Sequence, residues 1–222
     1  SGTVLMLITN EGAKIIKKSS LDGKTLTAKL DGSCTLMVKD NSKTFSDVPD
    51  NYWGKDAIAF VTARELFNGI SDDQFAPAAP MTRAMLVTVL HRLEDTPAAK
   101  ADAAFPDVDA AAWYADAVAW ASGNGIVTGT GSGFEPDGQI TREQLAVILY
   151  RYAKYMGYST TGSSLTGYYD ANSVSSWARD AMGWAVRNGI ITGSGNSRLN
   201  PTGTASRAEV AQMFMSFYEF TT

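Results

Sequence analysis

Three arginines, each preceded by a threonine or a serine, are the residues whose type and spacing point to ligand chemistry. They are Arg83, Arg142 and Arg207. Threonine and serine favour the N-cap of a helix, so each arginine is predicted at a first helical position. A cation is unfavourable at the positive end of a helix dipole, so we expect either a carboxylate of the chain or a bound anion to offset each charge. The candidate carboxylates are Asp56, Asp116 and Asp180.

Tryptophan and glycine recur at fixed places around these arginines. The tryptophans are Trp53, Trp113 and Trp177, and the glycines are Gly69, Gly129 and Gly193. Each tryptophan opens an apolar i, i+4, i+7 stripe that is typical of a core position, although its indole could also touch a ligand at an edge. The glycines follow a predicted helix, where positive φ is often required, and they could also let backbone N–H groups approach a ligand. Trp120 and Trp184 are predicted to lie in the core.

These residues belong to an internal repeat that occurs three times. Each copy has an early aspartate, two predicted helices and, between the helices, a glycine-containing loop closed by a proline. The early aspartates, interpreted as turn or capping residues, are Asp47, Asp107 and Asp170. We place the repeats at 45–96, 105–155 and 168–222, with linkers at 96–104 and 156–167. A two-helix unit cannot bury its apolar face alone, so we expect the repeats to pack on one another.

The capping box is complete in two of the repeats. Thr141 is followed by Gln144 and Ser206 by Glu209, whereas Met85 takes that place in the first repeat. We therefore expect the second helix of the first repeat to be less well capped.

Residues 1–44 form a lead-in of a different kind. Short alternating apolar runs predict strands, and the Asp31-Gly32 pair between two of them predicts a hairpin. Three or four strands seldom stand alone, so the lead-in is either the end of a larger β domain or a small sheet resting on the first repeat.

Composition excludes several classes of function. The single cysteine, Cys34, leaves no disulfide framework, and the single histidine, His91, gives little support for histidine-dependent catalysis or metal binding. Cys34 is predicted to be at least half-buried in a strand, and His91 to lie at the surface. The net charge is −4, while the lead-in carries seven lysines and four acidic residues, so the repeats are acidic. An acidic body disfavours adhesion to nucleic acid, and no apolar run is long enough for membrane insertion.

The repeats resemble surface-layer homology (SLH) domains. The segments MTRAM, ITREQ and ASRAE stand where that family carries its Thr-Arg-Ala-Glu motif, and the F-x-D-V opening, the tryptophan and the glycine loop follow in family order. The resemblance covers about residues 45–218. It implies a mainly α fold in which three tandem two-helix repeats form a pseudo-threefold assembly around a central helical bundle.

The resemblance also implies a function. The chain would be a non-catalytic module, without a metal or another cofactor, that binds secondary cell-wall polysaccharide in grooves between repeats, commonly through pyruvylated amino sugars. The ligand-binding residues would be the motif arginines, with the tryptophans and glycines of the repeats beside them. The module would hold a surface-layer or exported protein at the surface of a Gram-positive-type bacterium, where the parent protein could self-assemble.

Two other functions stay open from the sequence. A helical-repeat scaffold for protein interaction or self-assembly has the same repeat pattern. A glycoside hydrolase would need two of the carboxylates as its catalytic pair. Against the hydrolase, the carboxylates recur with the repeat, whereas a catalytic pair occupies unique positions.

Overall fold

The computed structural model describes residues 2–22, 24–30, 32–100 and 105–221. The helices are α1 (Lys55–Ala63), α2 (Arg83–Leu93), α3 (Ala115–Gly123), α4 (Arg142–Tyr155), α5 (Arg179–Arg187) and α6 (Arg207–Thr221). The strands are β1 (Thr3–Thr9), β2 (Gly12–Ile15), β3 (Ser19–Asp22), β4 (Thr25–Ala28) and β5 (Thr35–Asp40). The prediction of a mainly helical chain, with two helices per repeat after a β-rich lead-in, is confirmed.

The chain divides into two compact units. The first contains residues up to 79 together with residues 207–220, and the second contains residues 80–206. The first unit thus holds the lead-in, helix α1 and helix α6, and the second holds helices α2 to α5.

Two small antiparallel sheets form the lead-in of the first unit. Strands β2, β1 and β5 make one sheet in that order, and β3 pairs with β4 in the other. The predicted hairpin between β4 and β5 is wrong, because β5 pairs with β1 along its whole length, from Thr35 opposite Ile8 to Asp40 opposite Thr3. Asp31 of the predicted turn lies outside the described residues.

The lead-in packs on the first repeat. Val4, Met6 and Ile15 form a buried apolar cluster with Ala63 at the end of α1. Arg64, which is 1% exposed, donates from Nη2 to the Ser19 carbonyl at 2.8 Å. The lead-in therefore contacts the first repeat through apolar side chains and through a buried hydrogen bond.

A closed ring of backbone hydrogen bonds joins the three repeats inside the second unit. The N–H of Met81 donates to the carbonyl of Ala205 at 3.0 Å, that of Ile140 to Met81 at 2.8 Å, and that of Ala205 to Ile140 at 3.0 Å. Each of these residues stands two places before a motif arginine. The ring therefore fixes where α2 and α4 begin relative to each other.

The capping predictions hold where the structure describes the caps. Thr82 accepts a hydrogen bond from the N–H of Met85, and Thr141 and Gln144 form the reciprocal capping box. Met85 carries no side-chain acceptor to complete a box, so α2 has the weaker cap, as predicted. Arg83 and Arg142 are the first residues of α2 and α4.

The predicted burial is wrong for the only histidine and for the only cysteine of the chain. His91 is buried, because its ring lies 5.4 Å from the ring of Trp120 and its Nε2 is 2.9 Å from the carbonyl of Pro97. Cys34 is exposed, because it stands just before the edge strand β5, which is itself exposed. Trp120 and Trp184 lie in the core, as predicted.

Candidate functional site

Each motif arginine is buried and grips a loop of another repeat through two carbonyl oxygens. The exposed fractions are 5% for Arg83, 3% for Arg142 and 8% for Arg207. Arg83 donates from Nε to the carbonyl oxygen of Phe134 at 2.7 Å and from Nη2 to that of Thr128 at 3.2 Å. Arg142 donates in the same way to Leu199 at 2.8 Å and to Thr192 at 3.0 Å. Arg207 donates to Phe75 at 2.9 Å and to Asn68 at 2.6 Å. Carbonyl dipoles of the loops thus offset the arginine charges, which is a source that the sequence analysis did not suggest.

An aspartate holds each of these loops from its other side. Both carboxylate oxygens of Asp107 accept backbone N–H groups, from Phe134 at 2.8 Å and from Glu135 at 2.7 Å. Asp47 does the same at Phe75 and Ala76, and Asp170 at Leu199 and Asn200. The second residue of each pair has a positive φ, of 56° at Ala76, 56° at Glu135 and 50° at Asn200. The aspartates therefore stabilise a strained turn, which agrees with their predicted role as turn residues.

The protonation state of these aspartates follows from the same bonds. The N–H groups of Phe134 and Glu135 hold the pKa of Asp107 below its ordinary value. Burial raises the pKa of Asp170, but the N–H groups of Leu199 and Asn200 outweigh it and leave the pKa lowered. Both carboxylates are thus ionised at neutral pH, and their negative charge lies close to the loops that the arginines grip.

These pKa shifts predict an acid-sensitive stability. An aspartate whose pKa is lower in the folded chain than in the unfolded chain stabilises the fold at pH values above its unfolded pKa of about 3.9. This stabilisation is lost as the pH falls through the pKa of the folded chain. We expect Asp107→Asn to destabilise the chain at pH 7, because the amide nitrogen would face a backbone N–H, and to weaken the loss of stability on the acid side. Urea unfolding from about pH 7 down to about pH 2.5 measures both effects. Asp137→Asn, on the exposed end of the same loop, is the control, and equal curves for the two variants would contradict the prediction.

The repeat glycines are required by close packing. A Cβ on Gly69 would lie 2.3 Å from the carbonyl oxygen of Ser71, and one on Gly129 would lie 2.7 Å from that of Gly133. A Cβ on Gly193 would lie 2.9 Å from the carbonyl oxygen of Arg198. The prediction that positive φ explains these glycines is wrong, because the positive φ falls four residues earlier, at Gly125 and Gly189. Each repeat glycine directly follows a carbonyl that accepts from a motif arginine, so arginine and glycine share one loop.

The repeat tryptophans are exposed, so the core interpretation is wrong for them. The exposed fractions are 59% for Trp53, 63% for Trp113 and 57% for Trp177. Helices α1 and α3 begin two residues after their tryptophans, and Trp177 lies in a 3-10 turn before α5, so the helical stripe does not extend back to them. Each indole therefore has more than half of its surface open to solvent.

One groove of the second unit brings a predicted arginine, glycine and tryptophan together. Its volume is about 440 Å³, and Arg83, Gly129 and Trp177 lie in its wall. The other lining residues are Val127, Thr128, Thr130, Gln144, Val147, Ile148 and Arg151. Among the described residues, those that line the groove include no aspartate or glutamate. The groove therefore combines cationic, hydroxyl, amide and aromatic groups in a chain whose net charge is −4.

Arg151 is a groove residue that the sequence analysis missed. Its Nη1 donates to the hydroxyl of Thr128 at 3.0 Å. The available signal was helical periodicity, because Gln144, Val147, Ile148 and Arg151 follow the i, i+3, i+4, i+7 pattern of one helix face.

The turn that carries Trp177 is held by a buried acid. Glu143, which is 4% exposed, accepts from the backbone N–H of Ser175 at 2.9 Å and from its hydroxyl at 2.8 Å. Ser175 stands just before the 3-10 turn Ser176–Ala178. A side chain of α4 thus positions the tryptophan of the groove.

Metal-binding clusters and membrane-spanning helices are absent from the part of the chain that the structure describes. Within the described ranges, no cluster of three or more histidine, cysteine, aspartate or glutamate side chains is arranged to hold a metal ion. None of the helices that the structure describes has the length and apolar character needed to cross a membrane.

Comparison with known families identifies the repeats. The model of the S-layer homology domain matches residues 44–84, 104–146 and 167–211. The chain belongs to the S-layer homology family. The matches include all three motif arginines and the carbonyl acceptors of their loops. S-layer homology domains are non-catalytic anchoring domains, so the chain is a cell-surface anchoring module.

The relatives of this S-layer homology module are longer proteins. It is 31% identical to an amylopullulanase of Thermoanaerobacterium thermosulfurigenes over 95% of the chain, and 33% identical to the exoglucanase XynX of Acetivibrio thermocellus over 82%. It is 30% identical to the S-layer protein sap of Bacillus anthracis over 93% of the chain. The chain spans 11%, 17% and 24% of these three proteins, respectively. Enzymes and surface-layer proteins thus share the region that this chain represents.

Proposed function

We propose that the module binds an anionic secondary cell-wall polysaccharide, one that carries pyruvate ketals on amino sugars, in the groove lined by Arg83, Gly129 and Trp177. The observation that carries this proposal is a groove with two guanidinium groups and an exposed indole, in whose described lining no carboxylate is found. By this binding the module would hold a surface-layer or exported protein on the wall of a Gram-positive-type bacterium.

The groups of the groove suit a charged sugar. A pyruvate ketal presents a carboxylate at a fixed position beside sugar hydroxyls, and a guanidinium matches a carboxylate with two parallel hydrogen bonds. The exposed face of Trp177 would pack against the C–H face of a sugar ring. The hydroxyl of Thr130 and the amide of Gln144 would supply hydrogen bonds to neutral sugar groups.

We propose the same ligand role for the equivalent residues of the other repeats. They are Arg142, Arg207, Trp53, Trp113, Gly69 and Gly193. The support is that Arg142 and Arg207 grip their loops with the same geometry as Arg83 and that Trp53 and Trp113 are equally exposed. The ring of hydrogen bonds through Met81, Ile140 and Ala205 supports a pseudo-threefold arrangement of repeats around a central helical bundle, with repeats at 45–96, 105–155 and 168–222.

Repeated sites would raise the strength of anchoring. Several weak sites on one polymer gain from effective concentration, so avidity can exceed single-site affinity by a factor of about 10² or more. An anchor of this kind can hold a large protein without a covalent bond.

The proposal is tested by titration calorimetry with purified secondary wall polysaccharide, before and after chemical removal of its pyruvyl groups. We expect binding that is lost on removal, and Trp177→Ala should weaken it about tenfold. Tyr169→Ala, which changes an aromatic residue that is 81% exposed and does not line the groove, is the control and should bind as the wild type does. Binding that survives removal of the pyruvyl groups would contradict carboxylate recognition. No binding to either polymer would contradict the anchoring ligand and favour protein interaction.

A further inference from the structure

Two arginines of the groove converge on one residue. Arg83 donates from Nη2 to the carbonyl oxygen of Thr128 at 3.2 Å, and Arg151 donates from Nη1 to its hydroxyl at 3.0 Å. Both guanidinium groups therefore lie within hydrogen-bond reach of a single threonine, on one wall of the groove.

Like charges held this close repel each other unless a negative charge lies between or beside them. Burial lowers the pKa of Arg83, and the negative charges of Glu135 and Asp107 partly counter that shift. Neither of these two acids lines the groove. Within the groove itself, the described lining residues supply hydroxyl, amide, apolar and indole groups but no acid. The space in front of the two guanidinium groups thus favours more than one negative charge.

We infer that this groove recognises a ligand with two neighbouring negative charges, and that Arg151 is the residue that selects it over a singly charged ligand. The inference rests on the proposed function and refines it, since a single pyruvate ketal supplies one carboxylate. The second charge would come from a carboxylate on the adjoining sugar or from the second ionisation of a phosphate ester on the same polymer.

The geometry gives the two arginines different tasks. Arg83 is 5% exposed and is committed through Nε and Nη2 to its loop, so it presents a fixed charge. Arg151 is half-buried at the wall, and Nη1 is held by a hydroxyl, so its remaining N–H groups are available to turn toward a ligand. A second charge on the ligand would then be contacted by Arg151, and a ligand without it would leave Arg151 with Thr128 as its partner.

The experiment uses small anions as probes of the full chain. Acetate, malonate and inorganic phosphate at about pH 8, where phosphate is mainly dianionic, are titrated at constant ionic strength. The readout is the NMR signals of the Arg83 and Arg151 guanidinium N–H groups and of the Trp177 indole. We expect malonate or phosphate to bind about tenfold more tightly than acetate. Whichever of malonate and phosphate binds more tightly shows whether the ligand of the groove is a dicarboxylate or a phosphate.

Variants then assign the preference to Arg151. Arg151→Gln should bring the affinity for the dianion down to that for acetate, and Arg151→Lys, which keeps the charge, should retain part of the preference. Arg187→Gln, which makes the same charge change at an exposed residue outside the groove lining, should leave it unchanged. Equal affinities of the wild type for acetate, malonate and phosphate, or an unchanged preference in Arg151→Gln, would overturn the inference.

A wall-binding assay separates this inference from the proposed function. A wild-type chain that sediments with purified walls but binds acetate, malonate and phosphate equally contradicts the role of Arg151 alone. A wild-type chain that does not sediment with walls contradicts the proposed function itself.

Discussion

Replacing Arg142 with glutamine is expected to lower the free energy of unfolding by about 3–5 kcal/mol. The Arg142 side chain is 3% exposed, and it donates to the carbonyl oxygens of Leu199 at 2.8 Å and Thr192 at 3.0 Å. Hydrogen bonds from a charged donor contribute about 1.5–3 kcal/mol each, and a buried carbonyl left without its donor adds a desolvation cost. Glutamine is too short to reach both oxygens.

Two variants control for charge and for shape. Arg142→Lys keeps the cation but has one terminal donor in place of the planar fork, so we expect a loss between those of the wild type and the glutamine variant. Arg179→Gln removes a charge at the exposed first residue of α5, and we expect a change within about 0.5 kcal/mol. Denaturation in guanidinium chloride, followed by circular dichroism and by tryptophan emission, measures all three. A loss below about 1 kcal/mol in Arg142→Gln would contradict the structural role of this side chain.

This expectation reverses one that the sequence suggests. From the motif alone, Arg142→Ala would weaken ligand binding more than stability, because an arginine at a helix start is assumed to face a ligand. Because of the two carbonyl contacts, we expect the larger effect on stability instead. Binding experiments at the motif arginines therefore need folded-state controls, whereas the exposed Trp177 and the half-buried Arg151 are better positions for testing recognition.

Local features of this chain were predictable from the sequence. The cap at Thr141 and the arginine that follows it depend on neighbours within one turn, so residue type and spacing are sufficient to predict them. Trp184 follows the apolar periodicity of α5 and lies in the core for that reason. Asp107 is predicted to be a turn residue, and it is one. Its hydrogen-bond partners are 27 and 28 residues away along the chain, so the sequence could not identify them.

Features that depend on distant partners were not predictable. The Asp31-Gly32 turn signal favours pairing of β5 with its neighbour β4, but β5 pairs with β1, at the other end of the lead-in. Local turn propensity does not determine which strand has an unpaired edge for β5 to join. The acceptor of Arg83 lies 51 residues along the chain, in a loop that periodicity cannot place. The groove was predicted only through the family resemblance, and Arg151 was not predicted at all, since a charged residue on a helix face is most often solvent-exposed.

Replacing Glu143 with alanine is expected to disturb the groove as well as the stability of the chain. Glu143 takes the place of the alanine in the Thr-Arg-Ala-Glu motif, and its carboxylate accepts both the N–H and the hydroxyl of Ser175. Both bonds are lost in Glu143→Ala, which should cost about 2–4 kcal/mol. Since Ser175 stands two residues before Trp177, the indole should lose its fixed place in the groove wall.

A double-mutant cycle with Ser175→Ala separates positioning from bulk stability. Ser175→Ala removes the hydroxyl bond and keeps the backbone N–H bond, so its effect should be smaller than that of Glu143→Ala and should not add to it. The indole NMR signal of Trp177, assigned by its absence in Trp177→Phe, should shift or broaden in Glu143→Ala. Binding of the wall polysaccharide should weaken by about the same factor as in Trp177→Ala, roughly tenfold. An unmoved indole signal together with unchanged binding would mean that Glu143 stabilises the second unit without positioning the tryptophan of the groove.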